Sequence, residues 1–73
     1  MARIEVKTDI SGTVWQIETA PGETVEEEGV ILLIEAMKME IPVMAPEAGT
    51  IVEILVAEGE QVVEGQAVAV LDA

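Results

Sequence analysis

The sequence predicts a small all-β domain built from two copies of a four-stranded half. Its apolar residues are mainly Val, Ile, Leu, Ala and Met, with no Phe or Tyr and one Trp, a composition that favours strands. No window shows a sustained apolar period of about 3.6 residues, which an amphipathic helix requires. The chain also matches itself at an offset of 37 residues, so each half is expected to fold in the same way.

The internal repeat aligns residues 3–36 with residues 40–73 without a gap. Eleven of the 34 aligned pairs are identical, among them Gly12 with Gly49. Two copies are too few for a solenoid, which needs about three or more. A half that closes onto its twin about a pseudo-two-fold axis fits better, and we expect residues 1–73 to form one domain.

Each half is expected to contain four short strands separated by turn residues. The predicted strands are 3–8, 12–19, 23–26 and 30–36 in the first half, and 39–44, 49–56, 60–63 and 66–72 in the second. Pro42 predicts that its strand lies at a sheet edge or beside a bulge, because proline cannot donate a hydrogen bond to a ladder.

Alternation along these strands predicts the core. The expected core positions are Trp15, Ile17, Val52, Ile54 and Val56 in one phase, Val25 and Val62 as matched positions, and Ile31, Leu33, Val68 and Val70 in another phase. Because Trp15 aligns with Val52 in the repeat, we expect its side chain to pack in the core or at the rim of a barrel.

The charge of the chain restricts its partners. Fifteen acidic and three basic residues give a formal net charge of -12. Nucleic acid is not expected as a partner, because no basic patch can neutralise phosphates, and anionic membrane surfaces would repel the domain. No long apolar stretch suggests a signal peptide or a membrane span. We therefore expect a cytoplasmic protein, or one of an organelle matrix, with no membrane partner.

A single lysine marks the junction between the halves. The alignment leaves out Met37, Lys38 and Met39, so Lys38 falls in the hairpin between the predicted strands 30–36 and 39–44. A two-residue hairpin usually carries Asn-Gly or Asp-Gly, because its central residues take positive φ. Long side chains at such a turn are typical of functional sites. Turn chemistry alone leaves an ordinary exposed lysine and a chemical handle equally open.

The motif around this lysine resembles the attachment sequence of biotinyl domains, the carrier domains of biotin-dependent carboxylases. It reads Glu35-Ala36-Met37-Lys38-Met39, and matching turns before and after it read Gly22-Glu23-x-Val25 and Ala45-Pro46-x-x-Gly49. The chain is also similar in length to small biotin/lipoyl attachment proteins and biotin carboxyl carrier subunits. The resemblance implies a flattened β-barrel of two four-stranded antiparallel sheets, known as a barrel-sandwich hybrid, with pseudo-two-fold symmetry.

The same resemblance implies that biotin is attached covalently to Lys38 by a biotin protein ligase. It also implies that the ligase recognises the flanking residues Glu35, Ala36, Met37 and Met39. The biotin arm would then shuttle carboxyl groups between a biotin carboxylase and a carboxyltransferase that commonly acts on an acyl-CoA. The domain itself is expected to have no catalytic residue, since Lys38 serves as the substrate of another enzyme. No metal site is expected either, because the acidic run Glu26-Glu27-Glu28 has no converging His or Asp.

Three other interpretations stay open. A lipoyl carrier has the same fold and the same lysine position, although Met37 and Met39 favour biotin over lipoate. An interaction domain like the barrel-sandwich modules of membrane-fusion transporters would leave Lys38 unmodified. An enzyme in its own right is disfavoured, because the sequence has no His or Cys and a single Ser.

The turn before the motif strand departs from the family pattern. Family members usually carry Gly-Gln there, as residues 65–66 do in the second half, whereas residues 28–29 read Glu-Gly. This shift of the glycine suggests a different turn type in the first half. The repeat also places Met1 and Ala73 at the equivalent of the central joint, so we expect the chain ends to lie together at the end opposite Lys38.

Overall fold

The computed structural model describes residues 2–73, which form eight β-strands and no helix. The strands are β1 (Arg3–Lys7), β2 (Gly12–Ile17), β3 (Thr24–Val25), β4 (Val30–Ala36), β5 (Met39–Met44), β6 (Gly49–Ile54), β7 (Gln61–Val62) and β8 (Ala67–Asp72). Strands β5 to β8 follow β1 to β4 at an offset of 37 residues, to within one residue at each end.

The described strands pair into two antiparallel four-stranded sheets, which confirms the predicted fold class. One sheet has the order β1-β8-β6-β3 and the other the order β5-β4-β2-β7. Each sheet contains strands of both halves, and the offset of 37 residues converts one order into the other. Strand β5 lies at a sheet edge, which confirms the position that Pro42 predicted.

The core lies between the two sheets and is almost entirely aliphatic. Its most deeply buried members, each less than 2% exposed, include Val14, Ile31, Leu32, Ile34, Ile51, Val68 and Leu71. The matched positions Val25 and Val62 are also buried, as predicted. One polar residue, Thr8, is buried with them; its hydroxyl donates a hydrogen bond to the Ile10 carbonyl over 2.8 Å and accepts one from the Ile10 amide.

A β-bulge in β2 overturns the predicted position of the tryptophan. Val14 pairs with Ile34 and Gln16 pairs with Leu33, so Trp15 is an extra residue between two ladder positions. A bulge changes which side of the strand a residue faces. Val14 therefore enters the core, whereas Trp15 is 46% exposed. The expectation that Trp15 packs in the core or at the rim is wrong.

The same bulge recurs in β6, where Val52 is the extra residue and is half-buried. The core position there belongs to Ile51, not to Val52 as predicted. Ile17 and Ile54, expected in the same phase, pack against the margin of the core. Val56 is buried, in agreement with the prediction.

Bulges in β4 and β8 also shift the predicted alternation. Each turns two consecutive residues inward: Ile31 and Leu32 in β4, and Val68 and Ala69 in β8. After the bulge, the phase of the strand is reversed. Leu33 and Val70, predicted as core residues, are therefore half-buried on the outer faces of their sheets, and their neighbours Ile34 and Leu71 are fully buried.

The turn before β4 keeps the geometry of its twin despite its different sequence. Glu28 has φ 67°, and Gly65, its repeat equivalent, has φ 88°. Both amides donate to equivalent carbonyls at 2.8 Å, those of Ala45 and Thr8 respectively. The expectation of a different turn type is wrong, because Glu28 adopts the left-handed conformation itself.

The chain ends form the counterpart of the central hairpin. Ala2 and Ala73 exchange two backbone hydrogen bonds of 2.9 Å, and their repeat equivalents are Met39 and Ala36. The carboxyl ends of β1 and β5 line the same small pocket, so these two ends lie close together. The amino ends of the strands, which lead to the chain ends and to the Lys38 hairpin respectively, therefore lie on opposite sides of that pocket. Ala2 and Ala73 thus lie opposite Lys38, whereas Met1 is outside the described residues.

Candidate functional site

Lys38 lies at the tip of a two-residue hairpin. Strand β4 ends at Ala36 and β5 begins at Met39, and these two residues are paired across the ladder. Only Met37 and Lys38 remain to form the turn. The pairing continues without interruption from this end to Leu32 and Val43, so the tip is carried by a regular and well-anchored ladder.

Both turn residues take positive φ, with 54° at Met37 and 65° at Lys38. This pair of left-handed residues is the signature of a type I′ turn, whose twist matches that of the flanking strands. Long side chains are uncommon there, since the left-handed conformation costs an L residue roughly 1–2 kcal/mol. The turn therefore holds Lys38 in one backbone geometry that the sequence does not favour locally.

The hairpin exposes its long side chains and buries its smallest one. Met37 is 91% exposed and Met39 is 63% exposed, while Lys38 and Glu35 are also exposed. Ala36 is the exception at 9%, because it faces the core at the end of β4. The structure thus places the five predicted site residues together at the hairpin. Four of their side chains are accessible, and that of Ala36 is buried.

A pair of carboxylates lies next to the tip on the outer face of the sheet. Glu35 of β4 is paired directly with Glu40 of β5, and both are exposed. Like charges opposite each other in a ladder are unfavourable. Lys38 is the cation that the sequence places closest to this pair.

Four further side chains on this outer face escaped prediction, and we call them the outer patch: Trp15, Gln16, Leu33 and Pro42. Leu33 is flanked in the ladder by Pro42 on one side and by Gln16 on the other, with Trp15 in the adjoining bulge. Their repeat equivalents on the other sheet are Val52, Glu53, Val70 and Glu5. At these four positions the lysine-bearing sheet therefore has no carboxylate, whereas its twin has two. The difference can be read from the alignment of the two repeats.

Comparison with known proteins identifies the family. The family model described as "Biotin-requiring enzyme" matches residues 5–71, almost the whole chain. The chain belongs to this family. Membership in the biotin-requiring family confirms the resemblance that the motif and its flanking turns indicated, and it makes biotin the cofactor of the domain.

Two small proteins match this family member along most of their own length. The biotin/lipoyl attachment protein of Bacillus subtilis (strain 168) is 33% identical over 60 residues, covering 82% of each chain. The biotinylated protein TB7.3 homolog of Mycobacterium leprae (strain TN) is 33% identical over 67 residues, which are 92% of this chain and 94% of that protein.

Larger proteins contain a similar segment as a small part of their length. The crystal structure of the Kluyveromyces lactis urea carboxylase superposes with a TM-score of 0.93 at 32% identity, covering 99% of this chain and 6% of that one. The probable dihydrolipoyllysine-residue succinyltransferase component of the mitochondrial 2-oxoglutarate dehydrogenase complex of Schizosaccharomyces pombe (strain 972) is 41% identical over 61 residues. That match covers 84% of this chain and 14% of that protein.

No helix among the described residues is long and apolar enough to span a membrane.

Proposed function

We propose that this chain is a biotin carboxyl carrier and that Lys38 is the residue to which biotin is attached. The observation that carries the proposal is the position of Lys38: an exposed amine on a tight turn between two paired strands, in a chain matched over residues 5–71 by the biotin-requiring family. The proposal treats residues 1–73 as one biotinyl domain with two repeated halves.

The hairpin residues fit an amide-linked biotin. The Lys38 side chain is exposed, so after losing a proton its amine can attack the carbonyl carbon of a biotinyl adenylate held by the ligase without displacing other side chains. The C–N bond of the amide forms as the C–O bond to the phosphate breaks, and AMP leaves. Ala36 is buried at the end of β4 and pairs with Met39, which holds the base of the turn in the ladder. The exposed, flexible side chains of Met37 and Met39 offer adaptable apolar contacts to a biotin protein ligase. Glu35 adds a charge to the same surface.

When bound, biotin supplies a ring nitrogen that can accept and release a carboxyl group. The chain contributes the tether rather than bond chemistry: it holds the arm so that one ring can visit a biotin carboxylase and a carboxyltransferase at high effective concentration. A net charge of -12 favours partners with basic docking surfaces. The similarity to a segment that makes up 6% of the Kluyveromyces lactis urea carboxylase supports a carrier that works beside larger carboxylase parts.

Lipoate on Lys38 is the second candidate. One observation favours it: the succinyltransferase component named above, a dihydrolipoyllysine-residue protein, is 41% identical over 61 residues. Met37 and Met39 on both sides of the lysine favour biotin. Incubation of the unmodified protein with a biotin ligase or a lipoyl ligase, followed by intact-mass spectrometry, separates the two, because each group adds its own mass.

Site assignment is simple because the chain contains only two lysines, Lys7 and Lys38. We expect biotin ligase to add one biotinyl group to the wild type and to Lys7→Arg, and none to Lys38→Arg, since a guanidinium does not serve as the acceptor amine. Streptavidin blotting and intact-mass spectrometry measure the outcome. Labelling of Lys38→Arg would assign the site to another residue.

A second variant tests whether the position of the amine matters. Exchange of the two turn residues, Met37→Lys with Lys38→Met, keeps the composition and the turn but moves the amine by one residue. We expect modification to be abolished with little loss of stability, measured by urea denaturation in parallel. Normal labelling of this folded variant would show that the ligase does not depend on the exact placement of Lys38.

A further inference from the structure

The outer patch of Trp15, Gln16, Leu33 and Pro42 lies on the same sheet as the Lys38 hairpin. None of its four side chains belongs to the hydrophobic core. Trp15 is the single aromatic residue of the chain, and 46% of its surface is exposed. Burial of a tryptophan provides a large favourable contribution, so an aromatic surface left half in water is available for a ligand.

The two faces of the molecule are unequal, although the halves are repeated. The twin positions of the outer patch carry Val52, Glu53, Val70 and Glu5 on the other sheet. Glu53 and Glu5 stand on both sides of Val70 in the ladder, where Gln16 and Pro42 stand on both sides of Leu33. At these four positions the lysine-bearing sheet is therefore uncharged and carries the one tryptophan, although the Glu58 carboxylate lies beside the patch, where it accepts a hydrogen bond from the Ile17 amide.

We propose that the outer patch is a resting site for the biotin ring attached to Lys38, with the ring covering the indole of Trp15. This inference rests on the proposed function, since it requires biotin on that lysine. The head group joins a thioether ring to a cyclic urea, so it combines an apolar surface with two N–H donors. Leu33 and Trp15 provide the apolar contact, and the carboxylates of Glu35 and Glu40 lie between the patch and the hairpin as acceptors.

The arm is long enough to reach this surface. From Lys38, one residue beyond the Ala36–Met39 pair, back to the level of Leu33 is about four residue steps, or about 13 Å at the usual rise of a strand. Trp15 lies on the neighbouring strand, about 5 Å to the side. With ordinary bond lengths, the extended lysine and valeryl chain spans about 12 Å, and the fused rings extend the reach to about 16 Å, against a path of about 14 Å. The ring can therefore lie on Trp15 of its own chain without distortion of the barrel.

Because Trp15 is the only tryptophan, its fluorescence reports directly on the patch. Acrylamide is the suitable quencher, since it is neutral and is not repelled by the acidic surface. The protein is compared before and after ligase-catalysed biotinylation, with complete labelling verified by intact mass. We expect the quenching constant to fall by about half on biotinylation, because the ring covers one face of the indole.

Two variants provide matched controls. The double variant Trp15→Val, Val52→Trp moves the indole to the equivalent bulge on the other sheet, so its quenching should not respond to biotinylation. Lys38→Gln removes the lysine charge without adding a ring, so its quenching should equal that of the unmodified wild type. Nuclear Overhauser contacts between the indole and the biotin ring, independent of protein concentration, would support the assignment further.

The outcomes separate this inference from the proposed function. If no biotin is added, the proposed function fails. If Lys38 is fully biotinylated and the quenching of Trp15 is unchanged, the resting site is wrong while the carrier function stands. An equal change in the moved-tryptophan variant, or a change that grows with protein concentration, also overturns it. Slower ligation of Trp15→Val, combined with unchanged Trp15 quenching in the biotinylated wild type, would overturn the resting site and indicate that the patch contacts the ligase.

Discussion

The two residues at the hairpin tip adopt a backbone conformation that is unfavourable for them. The turn that exposes the Lys38 amine therefore lowers the stability of the hairpin. Met37 and Lys38 both occupy the left-handed region, where Asn and Gly are normally found. Ala36 and Met39, the adjoining pair, are in ordinary strand conformation and hold the turn closed. The proposed role of Met37 in ligase recognition accounts for the presence of a residue that is poorly suited to the turn.

Met37→Asn should relieve this strain. We expect the variant to raise the free energy of unfolding by about 0.5–1 kcal/mol, because Asn tolerates positive φ better than Met does. It should also slow biotinylation, because an apolar contact for the ligase is lost. Urea denaturation and a ligase time course measure the two effects.

Met39→Asn is the matched control for this substitution. Met39 is also exposed but lies in β5 without positive φ, so Asn there should give no stabilisation. Equal stability changes in the two variants would mean that backbone strain at Met37 is not the cause.

Among the secondary-structure elements, the strand bounds could be predicted but the faces of several strands could not. Turns marked by Gly and Pro predicted all eight strands with bounds close to those observed. The bulges at Trp15 and Val52 have no signature in a single sequence, because an extra residue changes the pattern only where the partner strand is known. A strict period of two therefore assigned Trp15 to the core, and the outer patch beside Lys38 was missed for the same reason.

The turn before β4 gives a prediction at this scale. Glu28 takes φ 67° where its twin is Gly65, so it carries a conformational penalty that glycine avoids. We expect Glu28→Gly to raise the free energy of unfolding by about 0.5–1 kcal/mol, since relief of the left-handed strain outweighs the greater freedom of glycine in the unfolded chain. Thermal and urea denaturation measure the change.

Glu27→Gly controls for charge in that experiment. Glu27 is an exposed neighbour in the same turn without positive φ. Its replacement removes the same negative charge but should destabilise the protein by roughly 0.5 kcal/mol, because only the entropic cost of glycine remains. Stabilisation by both variants would attribute the effect to electrostatic repulsion in this acidic segment.

The arrangement of the whole molecule follows from the repeat. An offset of 37 residues relates the two sheets and also relates the Lys38 hairpin to the chain ends. The repeat therefore predicted the location of the tip and the meeting of the ends before any strand was paired. It could not predict which residues would form the apolar outer face of the lysine-bearing sheet, since that face depends on the ladder that places Leu33 between Pro42 and Gln16.

Joining the ends tests this symmetry directly. Ala73 and Ala2 already exchange two 2.9 Å backbone hydrogen bonds, in the position that Ala36 and Met39 hold beside Lys38. A head-to-tail cyclised chain of residues 2–73 closed through Asn-Gly should therefore form a second type I′ hairpin without strain. We expect stabilisation on the order of 3 kcal/mol, because closure removes conformational freedom from the unfolded chain.

The control for cyclisation is the linear chain of residues 2–73 ending in the same Asn-Gly, which has the same residues but free ends. Urea denaturation compares the stabilities of the two forms, and a ligase time course compares their rates of biotinylation. Because the new turn lies at the end opposite Lys38, both should be biotinylated at the same rate. A less stable cyclic form would contradict the hairpin-like pairing of Ala2 with Ala73, and slower modification of a stable cyclic form would contradict the separation of the closed end from the attachment site.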